Sequence, residues 1–201
     1  MSEQHQLYIN GAWIETEASV VNTSPSDTTD VIGHYAQASM PQVEAAITAA
    51  NAAVLEWGSS ALETRYSVLM DIGNQLIARS GELGELLARE EGKTRAEGVG
   101  EVYRSGQFFH YFAGEVHRQI DDRAESVRPG IEIDTRREPV GVVAIISPWN
   151  FPMATAVWKI APALAFGNAV IFKPANLVPA SAWTLTEIIS RQTALPAGTF
   201  N

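Results

Sequence analysis

The chain contains no cysteine among its 201 residues. This absence excludes disulfide bonds and zinc sites built on thiolate ligands. It also means that the chain cannot supply a cysteine nucleophile of its own. The four histidines lack a two-histidine spacing on one helix face, so we expect no metal site.

Basic charge and long apolar runs are scarce as well. Against 23 Asp and Glu residues stand only 14 Lys and Arg, which gives a net charge of −9. An acidic chain repels nucleic acid and anionic membrane surfaces, so we expect neither as a partner. No apolar run is long enough to cross a bilayer and no targeting segment is recognisable, which makes the cytoplasm the default location.

The segment 138–152 carries the strongest indication of chemistry. Val142–Ile146 is a short apolar run rich in β-branched residues, which predicts a strand covered on both faces, as in a parallel sheet. The turn after it holds Asn150 between two aromatic residues and two prolines, so its carboxamide is presented by a stiff backbone. Such an amide is a good donor to a developing oxyanion. The alternative is that Asn150 only caps the helix that follows.

A second strand follows in the same arrangement. Met153–Phe166 has an apolar helical pattern closed by a Gly-Asn helix stop, and Ala169–Lys173 is another short apolar run. This strand–helix–strand order predicts parallel neighbours, with ligands bound beyond the carboxyl ends of the strands. Asn150 and Lys173 both fall at that edge, which suits the ribose and phosphates of a nucleotide. The alternative for Lys173 is a surface lysine whose stem lies along the strand end.

Elsewhere the pattern predicts two hairpins and a helical region. Leu7–Ile14 alternates around Asn10-Gly11, the strongest short hairpin signal. Residues 119–137 alternate on both sides of a Pro-Gly turn, which predicts a protruding hairpin. Helices are expected at Pro41–Trp57, Leu62–Arg79, Gly81–Glu91, Arg95–His117 and Pro179–Ser190.

Three short motifs indicate structure rather than catalysis. Gly92-Lys93-Thr94 lacks the earlier glycine of a phosphate-binding loop and follows a helix, so it predicts a helix end. Gly98-Val99-Gly100 lacks a third glycine at the dinucleotide spacing and favours close helix packing. The adjacent acids Glu90 and Glu91 point in different directions and are predicted to be solvated.

Several segments of the chain stand in an order and spacing typical of one family: Pro148–Pro152, Trp158-Lys159, Ala161–Leu164, Gly167-Asn168, and Lys173–Ala175 with Pro179 beyond. With these segments the chain resembles the aldehyde dehydrogenase superfamily over its whole length. Within it, the sequence of Phe172–Pro179 is most similar to the branch that oxidises 2,5-dioxopentanoate, the semialdehyde of 2-oxoglutarate.

This resemblance implies an α/β fold with an open parallel Rossmann-type sheet, an amino-terminal helical region and a protruding β-hairpin. Residues 1–118 and 140–201 are expected to form part of the cofactor-binding domain, and residues 119–139 an oligomerisation hairpin. Family members carry their cysteine nucleophile and glutamate base further along the sequence. We therefore expect an incomplete fold, an amino-terminal fragment without the catalytic thiol domain that is inactive alone and comes from a homo-oligomeric parent.

The resemblance also assigns roles to individual residues. Asn150 is expected to form the side-chain half of the oxyanion hole for a small-molecule aldehyde. Phe151, Thr155 and Trp158, at i, i+4 and i+7, are expected to border the aldehyde tunnel, where the Thr155 hydroxyl indicates a polar aldehyde such as an oxo-acid semialdehyde. Contacts to NADP or NAD are expected from Ile146, Ser147, Pro148, Trp149, Lys173 and Asn176.

Asn176 bears on the choice of cofactor. In NAD-selective members a glutamate stands three residues after the strand-end lysine, where it repels a 2′-phosphate. The neutral amide of Asn176 removes this repulsion while Lys173 stays nearby, so we expect NADP to be accepted, alone or beside NAD. The alternative is that Asn176 serves only the turn before Pro179.

Two classes of function remain open. The first is the amino-terminal part of an NAD(P)-dependent aldehyde dehydrogenase, which oxidises an aldehyde to a carboxylate through a cysteine thiohemiacetal. The second is a non-catalytic dinucleotide-binding or subunit-pairing module of the same fold.

Overall fold

The structure, a computed structural model, describes residues 4–118 and 121–201. The chain begins with short strands: β1 (Gln4–His5), β2 (Leu7–Ile9), β3 (Ala12–Ile14), β4 (Ser19–Thr23) and β5 (Val31–Ala36). Helices follow: α1 (Met40–Gly58), α2 (Leu62–Ala78), α3 (Ser80–Glu91) and α4 (Arg95–Val116). The remaining elements are β6 (Asp122–Glu125), β7 (Glu132–Thr135), β8 (Val142–Ile146), α5 (Ala154–Ala165), β9 (Ala169–Lys173) and α6 (Pro179–Ser190). The predicted α/β class and the predicted helices are therefore confirmed.

The amino-terminal strands form two small sheets. β2 and β3 pair antiparallel around Asn10 and Gly11, whose φ angles of 52° and 77° are those of a tight hairpin turn. In the other sheet β5 lies between β1 and β4. Trp13 of the hairpin packs on Trp183 of α6, with ring centroids 5.1 Å apart. The predicted hairpin is confirmed, and this aromatic contact joins it to the last helix.

Glycines allow α4 to pack closely against its neighbours. A Cβ atom at Gly98 of α4 would overlap the carbonyl oxygen of Gly84 in α3. Likewise, a Cβ atom at Gly106 would lie 2.7 Å from the carbonyl oxygen of Gly73 in α2. The predicted packing role is confirmed for Gly98, whereas a Cβ atom at Gly100 would meet nothing within 4 Å.

The junction between α3 and α4 is the helix end that the Gly-Lys-Thr motif predicted. Gly92 has a φ of 87° and ends α3 in the left-handed conformation. Thr94 caps α4, because its hydroxyl oxygen accepts a hydrogen bond from the Glu97 amide at 3.3 Å. Lys93 lies between these two caps, and its side chain pairs with a carboxylate on each helix, Glu91 of α3 and Glu101 of α4.

β8 and β9 are parallel neighbours connected by α5, as predicted. Their register places Ile146 opposite Lys173. On the other edge of β9, Val170 forms a parallel bridge with Phe200, so β9 is paired on both sides at this point. α5 packs against both strands, and the side chains between them belong to the main hydrophobic core.

One face of β8 is open, contrary to the prediction of a strand covered on both sides. Val143 and Ile145 pack into the core. Ala144 and Ile146 are exposed, the latter by 73%. Side chains alternate between the two faces of a strand, so the second face of β8 is half-buried at Val142 and exposed from Ala144 onward. The prediction was therefore wrong for the described part of the chain.

β6 and β7 form the protruding antiparallel hairpin that was predicted. Residues 119 and 120, where that prediction began, lie outside the described residues. Every residue of the two strands is exposed, and an ion pair between Arg123 and Glu132 joins them. The hairpin thus contributes no side chain to the core.

No helix in the described part of the chain combines the length and the apolar character needed to cross a bilayer.

The glycine contacts predict opposite effects for two substitutions on α4. Gly98→Ala should lower stability by about 1–3 kcal/mol, because the backbone of α3 cannot move away from the new Cβ without opening the interface. Gly100→Ala should raise it by about 0.5–1 kcal/mol, because alanine is the better helix former and the space is open. Thermal unfolding of both variants checks this; equal shifts of the two midpoints in the same direction would contradict the packing model.

Candidate functional site

Two strand ends meet at one edge of the parallel pair. The register places Ile146 beside Lys173, and the Ser147 amide donates to the Lys173 carbonyl oxygen at 3.3 Å. Ser147 is buried, whereas Ile146 and Lys173 are exposed. Pro148 and Trp149 follow directly and are exposed as well. The structure therefore brings together the strand-end residues for which cofactor contacts are predicted.

Asn150 lies in the exposed turn between β8 and α5. Its carboxamide makes no hydrogen bond to any residue that the structure describes. The helix begins at Ala154, and its N-cap position is Met153. The alternative that Asn150 caps this helix is therefore wrong, and its amide group is available to a ligand.

A buried carboxylate from α4 satisfies the amino-terminal end of α5 instead. Glu101 Oε1 accepts hydrogen bonds from the amides of Met153 and Ala154, both at 3.0 Å. Amides in the first turn have no acceptor within the helix itself. The helix dipole also favours a negative charge at this end. Glu101 thereby fixes the place where the Asn150 turn enters the helix.

Lys93 connects this carboxylate to the turn. Its Nζ atom lies 2.7 Å from Glu101 Oε2 and 2.7 Å from Glu91 Oε2. It also donates to the carbonyl oxygen of Asn150 at 3.4 Å and lies 4.4 Å from the ring centroid of Phe151. Burial lowers the pKa of Lys93, but the hydrogen bonds to the two carboxylates outweigh burial, so the pKa is raised overall. The ammonium group therefore stays charged beside the turn at neutral pH.

Glu90 accepts hydrogen bonds at the amino-terminal end of α6 in the same way. Its carboxylate accepts from the Ala180 amide at 2.6 Å, from the Ser181 amide at 2.9 Å and from the Ser181 hydroxyl at 2.6 Å. Asn22 Nδ2 donates to it as well. Burial raises the pKa of Glu90, against the lowering effect of these hydrogen bonds. Glu90 is 2% exposed and the Glu91 side chain 10%, so the prediction that this acidic pair is solvated was wrong.

Side chains that donate hydrogen bonds hold the carboxyl-terminal end of α5. Trp57 Nε1 donates to the Leu164 carbonyl oxygen at 3.0 Å. Buried Arg65 donates to the Ala165 carbonyl oxygen at 3.4 Å. A cation at this end complements the helix dipole. α5 is therefore fixed at both ends by residues far away in the sequence.

The residues predicted to border an aldehyde tunnel are close together but not all helical. Phe151 precedes the helix, although its carbonyl oxygen accepts from the Thr155 amide at 3.0 Å. The Thr155 hydroxyl donates to the same oxygen at 2.7 Å, so its proton is already used in this conformation. Trp158 packs edge-on against Phe108, with centroids 5.3 Å apart. Phe151 and Trp158 are each 51% exposed, which leaves two aromatic surfaces next to Asn150.

Lys173 and Asn176 interact directly. Lys173 Nζ donates to Asn176 Oδ1 at 2.9 Å, and both residues are exposed. Asn176 also occupies a turn, in which the Val178 amide donates to the Ala175 carbonyl oxygen at 3.2 Å. Its carboxamide is not used to close that turn, so it remains a partner of the lysine. That partner is neutral, so this contact does not compensate the positive charge of Lys173.

A cavity of about 250 Å³ lies beside the carboxyl-terminal half of β9. Lys173 and Pro174 form part of its wall at the strand end. Aromatic side chains make up much of the rest, from Tyr8, Trp13, Tyr35, Phe172 and Trp183. The strand-end lysine therefore borders an apolar space as well as solvent.

Comparison with known proteins identifies the family. The model of the aldehyde dehydrogenase family matches residues 13–201. The chain belongs to this family.

Individual relatives agree with this assignment. The α-ketoglutarate semialdehyde dehydrogenase of Haloferax volcanii is 36% identical over all of this chain and 42% of the relative. The α-ketoglutaric semialdehyde dehydrogenase of Bacillus subtilis is 37% identical over 96% of this chain and 40% of the relative. The chain thus spans about two fifths of the length of these relatives. The predicted resemblance to the 2-oxoglutarate semialdehyde branch is confirmed.

A solved structure shows the same fold. The NADP-dependent glyceraldehyde-3-phosphate dehydrogenase of Bacillus halodurans C-125, complexed with NADP, matches with a TM-score of 0.93 at 29% identity. The match covers 98% of this chain and 43% of that chain. The aldehyde dehydrogenase fold expected from the sequence is therefore confirmed.

Three residues that support this candidate site escaped the sequence analysis. Glu90, Lys93 and Glu101 hold the two site turns, yet none was assigned a role there. A usable signal was present, since Glu101 lies on the buried stripe of α4 with Val102 and Ser105. A carboxylate on such a stripe needs a partner. Among residues 4–118 and 121–201, no group of three or more His, Asp or Glu side chains is arranged to hold a metal ion.

Proposed function

We propose that this chain is the cofactor-side part of an NAD(P)-dependent aldehyde dehydrogenase that converts an oxo-acid semialdehyde to the carboxylate. The observation that carries the proposal is the unbonded, exposed carboxamide of Asn150, held by a fixed turn at the same sheet edge as Lys173. A donor in such a position stabilises negative charge that develops on an aldehyde oxygen. The chain contains no cysteine, so the nucleophile comes from another part of the enzyme.

Some site residues of this chain face the cofactor in this proposal, and others face the aldehyde. The nicotinamide cofactor, when bound, accepts a hydride from the substrate carbon. Lys173 and Asn176 offer a cation and an amide to its ribose and phosphate, and Ile146–Trp149 provide the adjoining wall. Phe151 and Trp158 present aromatic surfaces to the aldehyde. On this division residues 1–118 and 140–201 belong to the cofactor-binding domain, and residues 119–139 to a hairpin for subunit contact.

Removal of the Asn150 amide tests the central assignment. In the full-length gene product, Asn150→Ala should lower kcat for semialdehyde oxidation by on the order of 10²–10³, the usual loss for one oxyanion donor. The KM for the cofactor should stay unchanged, because the carboxamide makes no contact to the strand-end lysine. Stopped-flow kinetics of the acylation step gives the measurement, and unchanged turnover would refute the role of Asn150.

The substrate class rests on the relatives rather than on Thr155. Two relatives at 36% and 37% identity are named for the semialdehyde of α-ketoglutarate, which is 2-oxoglutarate. The Thr155 hydroxyl donates to a backbone oxygen, so it can only accept a hydrogen bond from a ligand. We therefore expect the groups that recognise the distal carboxylate to lie outside this chain.

The pairing of Lys173 with Asn176 supports use of NADP. A glutamate at position 176 would neutralise the lysine and repel a 2′-phosphate, whereas the amide does neither. Asn176→Glu should therefore shift the ratio of kcat/KM for NADP over NAD by about tenfold or more toward NAD, since one like-charge contact costs at least about 1.4 kcal/mol. Asn176→Gln serves as the neutral control. A strong preference for NAD in the wild type, unaltered by Asn176→Glu, would show that this position does not control the choice.

The exposed hairpin supports a homo-oligomer. Val127 at its tip is 101% exposed, and Ile131 and Ile133 are 49% and 48% exposed. Apolar side chains on a protruding element are typical of a subunit contact. Ile133→Asp should lower the mass of the full-length gene product in analytical ultracentrifugation, whereas Leu55→Asp, at an 81% exposed leucine on α1, should leave it unchanged. An unaltered mass for Ile133→Asp would contradict the assignment of the hairpin.

The lack of cysteine favours a second candidate, a non-catalytic module that binds a dinucleotide or pairs with a subunit. The two candidates differ in what the gene encodes after residue 201. A reading frame that continues and contains a cysteine supports the enzyme, and a stop codon supports the module.

A further inference from the structure

We infer that Glu101, with Lys93, is a positioning residue that holds the Asn150 turn in its working geometry; this inference rests on the proposed function. Glu101 does not touch the substrate or the cofactor edge described above. It acts through the backbone of the turn, by way of two amides and a lysine. Neither the family match nor the names of the relatives assign a role to either residue.

Few hydrogen bonds fix this turn. At its start, the Ser147 amide donates to β9. At its end, the amides of Met153 and Ala154 reach Glu101 Oε1, both at 3.0 Å. Hydrogen bonds to a charged acceptor are stronger than those between neutral groups. The Glu101 side chain is 3% exposed, so water cannot replace it without opening the interface. Glu101 is therefore the main anchor of the end of the turn.

Lys93 fixes the peptide group of Asn150 itself. Lys93 donates to its carbonyl oxygen at 3.4 Å and lies 4.4 Å from the Phe151 ring centroid. The same ammonium group lies 2.7 Å from Glu101, so the carboxylate determines where the lysine can be. The Asn150 side chain has no hydrogen bond that would orient it. Its direction consequently depends on the backbone that Glu101 and Lys93 hold.

A neutral amide cannot replace the Glu101 carboxylate. Glu101 accepts on both oxygens, from the amides on Oε1 and from Lys93 on Oε2. A glutamine has one accepting oxygen, so it must turn its NH₂ group toward either the amides or the lysine, which are all donors. Glu101→Gln thus disturbs the turn while it keeps the volume of the side chain.

The test is a double-mutant cycle in the full-length gene product. Glu101→Gln should lower kcat by about 10–100-fold, the cost of a small misplacement of a catalytic group, without raising the KM for the cofactor. Because the effect acts through Asn150, the variant carrying both Glu101→Gln and Asn150→Ala should be no slower than Asn150→Ala alone. If Glu101 only stabilised the fold, the losses in kcat from the two single substitutions would multiply in the double variant.

Glu90→Gln provides the matched control, since Glu90 is also a buried carboxylate but caps α6 instead of α5. Its effect should multiply with that of Asn150→Ala. If Glu101→Gln does not fold, Lys93→Met is measured in the same cycle with the same expectation. If the fold-losses in kcat from Glu101→Gln and from Asn150→Ala multiply in the double variant, the inference is overturned and the proposed function stays intact. No loss in Asn150→Ala would instead overturn the proposed role of Asn150.

Discussion

Buried carboxylates at the amino-terminal ends of two helices are the interaction on which the rest of the site depends. Glu101 accepts the first amides of α5, and Glu90 those of α6. Both acids come from the helices on either side of the α3–α4 junction. Each helix follows a strand of the parallel pair, so each carboxylate also fixes the turn that leaves the sheet edge. A single structural unit therefore holds both turns of the site.

This arrangement explains how a site made of exposed residues can be rigid. Asn150, Trp149 and Lys173 are all exposed and obtain little support from packing. Their positions are fixed by helix α5 beneath them. The first amides of α5 donate to Glu101, and the last carbonyl groups of α5 accept from Trp57 and Arg65. A negative group at one helix end and a positive group at the other both follow the helix dipole. Such support from a second layer of residues is what catalytic geometry requires.

The sequence predicted the elements of this fold well, because local patterns determine them. The Asn-Gly turn, the apolar periodicity of α1–α6 and the strand–helix–strand unit are each written within a few neighbouring residues. The supports of the site could not be predicted this way, since Glu101 meets Met153 across 52 positions and Glu90 meets Ala180 across 90. Glu90 resembled a solvated acid because an acidic neighbour follows it, and only its place on the stripe of Leu83 and Leu87 indicated burial. The open face of β8 was not predicted, because an apolar run shows only that both faces of a strand are suited to burial. It does not show whether another element covers each face.

Amide hydrogen exchange tests the central claim most directly. The four amides that donate to Glu101 and Glu90 lie at the starts of α5 and α6, where the helix itself offers them no acceptor, so their protection from exchange depends on the two carboxylates. In the wild-type chain the amides of Met153, Ala154, Ala180 and Ser181 should all exchange slowly. Glu101→Ala should accelerate exchange at the first pair by about tenfold or more, as expected for the loss of a hydrogen bond to a charged group, and spare the second pair. Glu90→Ala should do the reverse. Fast exchange of all four amides in the wild type, or an equal response of both pairs to either substitution, would contradict the account.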